Sequence, residues 1–172
     1  MRKQEGISLI ELVIVGAIIL IIPAIAIPNL LRARIAANEV SAVNSIRTLN
    51  DAQIMFQATY FDVGYASTIA QLGPSASSGC TTPSSTNACL VDWSLAQAST
   101  AATAKSGYYF EVTPATPNGI VLGYTLNGMP ASANQTGVHG FCSNEDAVIR
   151  SIAVGSAMSG GNAACAASTA SQ

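Results

Sequence analysis

The apolar and polar positions of this chain fall into three successive patterns. From residue 7 to residue 27 only Ser8 and Glu11 are polar. Such a run is long enough to cross a bilayer, which needs about 20 apolar residues. After Pro28 the pattern becomes one-sided. Ala42, Ile46, Leu49, Phe56 and Tyr60 recur at spacings of three, four or seven, with Val43 beside them. Arg34, Asn38, Glu39, Ser41, Arg47, Thr48 and Asp51 form the polar surround. This is the stripe of a helix that packs one face on a sheet. Together the two stretches predict a single helix over about 7–61, roughly 80 Å long at 1.5 Å per residue. Pro23 and Pro28 each remove a backbone donor and are expected to break or kink it.

The third pattern follows a loop-rich middle. Asp62-Val63-Gly64 ends the helix, and Thr68-Ile69-Ala70-Gln71 has capping-box spacing for a short turn of helix. Residues 73–79 are loop by composition. The alanine-rich stretch 92–104 predicts one short helix capped by Asp92 or Ser94, with the Trp93 ring buried beneath it. From Gly107 the period shortens to that of strands, predicted at 108–112, 120–126, 138–142 and 147–152. Asn127-Gly128 reads as the turn after the second. Sequential strands with tight connections give an antiparallel meander, one face of which the helix stripe would cover. The fold class is therefore α+β, a long N-terminal helix on a C-terminal antiparallel sheet.

Composition narrows the function. Charged residues make up 9% of the 172 residues and the formal net charge is −2, so no basic surface for nucleic acid is evident. The four cysteines, Cys80, Cys89, Cys142 and Cys165, all follow the apolar run, and they suit an exported protein with two disulfides. Cys80–Cys89 and Cys142–Cys165 is the expected pairing among three, because each bond closes a sequence-local loop. His139 is the only histidine and lies within a predicted strand. With no nucleophile elbow or glycine-rich phosphate loop, the chain reads as no enzyme. The cysteines lack the close paired spacing of zinc sites. Asn144, Glu145 and Asp146 read as a solvated turn, and neither metal nor cofactor is expected. Asn134-Gln135-Thr136 fits a glycosylation sequon.

Glu11 is the exception inside the apolar run. A carboxylate within hydrocarbon costs on the order of 2.5 kcal/mol or more, so it should serve a function and have a partner. It sits in a specific context. The basic leader Met1-Arg2-Lys3-Gln4-Glu5-Gly6 is followed by Ile7, and Glu11 is fifth from that residue. On these residues, with Pro28 near the end of the run, the chain resembles the type IV pilins and their relatives, the type II secretion pseudopilins. It departs from the family pattern at Ile7, commonly Phe there, and in the additional Pro23. The Gly-Phe-Cys stretch at 140–142 and Val-Ile-Arg at 148–150 also look pilin-like.

The resemblance implies a leader (1–6) cut between Gly6 and Ile7 by a prepilin peptidase, with Ile7 N-methylated. It further implies a membrane-spanning or fibre-core half-helix (7–28) and an amphipathic half (29–62). A loop region with Cys80 and Cys89 (63–106) and a sheet with the C-terminal disulfide (107–172) complete the division. In assembled pili the segment before the proline matching Pro28 is extended, which Pro23 would favour here. The implied function is a structural subunit of an extracellular pilus, a helical homopolymer serving adhesion, surface motility or DNA uptake. The alternative is a major pseudopilin of a type II secretion system. The subunit would wait in the inner membrane, meet an assembly platform there, and pass to the cell surface. Glu11 would then pair with the Ile7 amine that processing creates.

Overall fold

A computed structural model describes residues 6–116, 120–153, 165 and 169–170, and the side chains of 22–25, 153, 169 and 170 are outside the description. The leader residues 1–5, the turn at 117–119 and most of the Gly/Ala/Ser tail after β4 thus lie beyond it. Two compact units divide the chain, one ending at Arg34 and one beginning at Ile35. Helix α1 (Leu9–Thr59) contributes to both.

In the first unit α1 is helical through Pro23 and Pro28. Each proline removes the bond that its nitrogen would donate four residues back. The extended conformation that the pilin resemblance implies belongs to an assembled fibre; in the single chain the segment is helical. By length and composition this part of α1 is apolar enough to cross a membrane.

The second unit holds the core. Ala42, Ile46, Leu49, Ala52 and Phe56 of α1 are buried, as the stripe predicts, with Val43 and Tyr60 half-covered at its margin. They meet a meander of strands β1 (Tyr108–Ala115), β2 (Gly123–Pro130), β3 (His139–Asn144), β4 (Arg150–Ala153) and β5 (Thr169–Ala170). Neighbours along the sheet follow chain order, and every pairing is antiparallel. Tyr108, Phe110, Val112, Tyr124, Leu126 and Phe141 close the core from the sheet side. Burying each such aliphatic or aromatic side chain stabilises by about 1.5–3 kcal/mol.

Several elements differ from the sequence expectation. The second strand begins at Gly123 and runs through Asn127-Gly128, which form no turn. Gly128 lies opposite Phe110. A Cβ there would come within 3.0 Å of Phe110 Cε1 and 3.1 Å of Ile46 Cδ1, so the residue is glycine because helix and sheet approach closely. The fourth strand starts at Arg150, residues 147–149 forming irregular backbone after a turn at 145–146. The stretch 92–104 is not one helix: α3 (Trp93–Ala96) ends after four residues, and a 3₁₀ turn spans Ala101–Thr103. Asp92 caps α3 by accepting from Leu95 N–H at 3.1 Å, while Trp93, at the first helical position, is only half-buried. The box at Thr68 forms as expected, capping α2 (Ile69–Leu72).

β1 is the edge strand of the described sheet. Phe110 N–H points outward from this edge and donates to Ala98 O at 2.7 Å. By the alternation of a strand, positions 112 and 114 face the same way. The second of these is Pro114, which has no N–H to offer.

Candidate assembly segment

Gly6, Ile7 and Ser8 precede α1, and Leu12 N–H closes its first turn by donating to Ser8 O at 3.2 Å. Glu11 lies in that turn, where the free N–H groups of a helix start favour an acid. Among the described residues its carboxylate has no ion-pair partner. Ile7 lies outside the helix and is in peptide linkage to Gly6, so the amine expected to meet Glu11 does not exist in the uncut chain.

From Ile7 to Ile21 the side chains stand open. Ile7 is 76% exposed and Leu9 80%, and Ile10, Leu12, Val13, Ile14, Val15, Ile18, Ile19, Leu20 and Ile21 are all exposed too. A continuous apolar surface of this extent marks a membrane or partner surface. It places one carboxylate, at one height, within a surface otherwise without charge.

The second unit, the headpiece, carries two disulfides, Cys80–Cys89 and Cys142–Cys165, with sequence separations of 9 and 23. The second joins Ile152 and Met129 in a small apolar cluster apart from the main core. His139 opens β3 and is exposed. Its Nδ1 lies 3.2 Å from Glu39 Oε1. In the turn at 144–146, the Asp146 carboxylate receives Arg150 Nη2 at 2.6 Å and Val148 N–H at 2.8 Å. These hydrogen bonds, the arginine's foremost, hold its pKa below the usual carboxylate range. The sequon residue Asn134 occupies the loop before β3 with φ 61°. The Thr136 hydroxyl is engaged there with both N–H and C=O of Ser132.

Polar residues of α1 turn out to do what the sequence reading left unassigned. Asn50 donates to Ser143 Oγ at 2.9 Å and accepts from the Tyr124 hydroxyl at 3.0 Å. Gln53, fully buried, donates to Ala66 O at 3.0 Å and accepts from Ala66 N–H at 2.8 Å. Asn38 and Glu39, assigned above to the polar surround, instead bind backbone groups of the headpiece. A signal existed for the first pair. Positions 46, 49, 50, 53 and 56 share one face of a 3.6-residue helix, so Asn50 and Gln53 are in phase with the stripe.

Against known proteins, the chain is 52% identical over 60 residues to the type IV wide pilus major component PilA4 of Thermus thermophilus. The match supports the type IV pilin family. The aligned stretch is 35% of this chain and 43% of that relative, so the chain spans less than half the length of the pilin it matches. No family model matches the chain, and no solved structure matches it. The long apolar-ended helix followed by an antiparallel sheet is an α+β, pilin-like arrangement.

Proposed function

We propose that this chain is a structural, non-enzymatic subunit of an extracellular type IV pilus that polymerises through α1. The observation carrying this reading is the uncovered apolar surface from Ile7 to Ile21 with its single acid. The similarity to a pilus component supports it. Before assembly the surface is covered by the inner membrane, and in the fibre by the same segment of other copies. A prepilin peptidase cuts between Gly6 and Ile7, an assembly platform receives the subunit, and the finished fibre serves adhesion, surface motility or DNA uptake.

In this reading the cut frees the Ile7 amine, and Glu11 of an incoming copy neutralises the amine of one already in place. In a dry fibre core such a pair sets axial register, because a misplaced subunit leaves a buried charge unpaired. Gly6→Val is expected to leave uncut precursor, seen as the higher mass. Glu11→Leu should insert into the membrane slightly better than wild type, since it removes the acid. Sheared surface material from those cells, imaged for fibres, should contain few or none. A normal fibre yield from Glu11→Leu refutes the register role.

A further inference from the structure

Two consecutive side chains at the start of the headpiece unit make four hydrogen bonds with the loop that leads into β3 and with its first residue. Asn38 Nδ2 donates to Thr136 O at 2.9 Å. Glu39 Oε1 accepts from Val138 N–H at 2.8 Å and from His139 N–H at 3.0 Å, and lies 3.2 Å from His139 Nδ1. The loop is fixed from its other side as well. The Tyr108 hydroxyl of β1 donates to His139 O at 2.6 Å. A Cβ on Gly137 would stand 1.9 Å from that hydroxyl oxygen, and one on Gly107 would stand 3.0 Å from Asn38 Nδ2. Gly137 thus lets the loop close onto Tyr108 of β1, and Gly107 leaves room for Thr136 of the loop beside Asn38 of the helix. Ile35, where the compact unit begins, is only a turn before these residues.

We propose that Asn38 and Glu39 are a helix stop, the point at which opening of α1 from its N-terminal side halts. A helix normally frays from its ends, because terminal turns lack the bonds that hold the interior. Here the turn containing Asn38 and Glu39 opens only if the loop bonds are released too. The backbone bonds of α1 downstream of this turn are therefore protected whatever happens before Arg34. The stop acts within the headpiece unit and is independent of the pilus reading. In a fibre it would also be the place where tension along α1 passes sideways into β3.

Hydrogen exchange on the full chain in detergent micelles tests the stop. In the wild type, the amides of Ser41, Ala42 and Val43 should exchange slowly. Glu39→Ala should speed their exchange by at least about tenfold, the change that a loss of about 1.4 kcal/mol produces. The amides of Phe110 and Leu126 in the sheet should keep their wild-type rates. Glu39→Gln should restore most of the protection, because an amide oxygen still accepts from both loop N–H groups. Unchanged exchange at 41–43 in Glu39→Ala overturns the proposal. An equal acceleration at Phe110 and Leu126 also overturns it, since Glu39 would then be a general stabiliser.

Discussion

Gln53 offers a sharp test of how α1 is joined to the chain that follows it. The side chain and Ala66 are both fully buried, and the amide satisfies the N–H and the C=O of that one residue. Gln53→Met keeps nearly the same volume and removes both bonds. Ala66 then holds two buried backbone groups without partners, each costing about 1–3 kcal/mol. The expected loss is about 2–6 kcal/mol. Taking about 3 kcal/mol, the midpoint of thermal unfolding falls by roughly 10 °C for a unit of this size. Near-ultraviolet circular dichroism of the chain in detergent follows the transition. Gln57, exposed on the same helix, is the control, and Gln57→Met should stay within about 0.5 kcal/mol of wild type. Gln53→Glu adds a pH test. A buried carboxylate faces the Ala66 carbonyl without a proton to donate, so the variant should be weak at neutral pH. Burial raises the pKa of such an acid. Stability should therefore return as pH falls and the protonated group donates again. If Gln53→Met unfolds within about 0.5 kcal/mol of wild type, the assigned bonds do not hold this joint.

Other expectations follow from the same core. Burial raises the phenol pKa of Tyr108 and Tyr124. Because the folded values lie above the unfolded one, their contribution is complete below about pH 10 and is lost as pH rises beyond it. Absorbance at the tyrosinate band should show these two rings ionising only with unfolding. The Asp146–Arg150 pair works in the opposite direction. Its lowered carboxylate pKa stabilises above about pH 4, and that stability is lost as pH falls further. Asp146 is well exposed, so Asp146→Asn should lower stability at pH 7 by less than about 1 kcal/mol, with no difference left at about pH 2. Gly128→Ala should destabilise by about 1–2 kcal/mol through crowding against Phe110 and Ile46, measurable by urea unfolding.

Legibility in the sequence followed the physics of each element. The α1 stripe was readable because burial recurs with the helical period, and the meander because runs rich in aromatic and β-branched residues follow one another closely between turn residues. β2 was misplaced for an identifiable reason. The apolar run from Ile120 to Leu126 suggested a strand, and Asn127-Gly128 is a favoured turn pair. Both faces of β2 are covered: Tyr124 reaches Asn50 on the helix side, and Met129 packs with the second disulfide on the other. Asn127 is buried on that strand, and its Oδ1 has no hydrogen-bond partner among the described residues, a position no polarity rule would choose. The segment proposed for assembly rests on a different kind of signal, the spacing from Gly6 to Glu11. The roles of Asn38 and Glu39 were not, because their partners lie about 100 residues away and are backbone groups.

Pro114 has a consequence for crowding. On a fibre surface headpieces would stand side by side at very high local concentration. There an open sheet edge invites neighbouring sheets to join, and such fusion would compete with assembly through helices. At the edge of β1, Phe110 N–H is already taken by Ala98 and Pro114 has none, so among the described residues position 112 alone of these three retains an unpaired outward donor. One free donor is a poor template for a ladder. Replacing Pro114 with threonine should therefore leave folding intact and raise light scattering of concentrated protein, as sheets begin to zip together edge to edge.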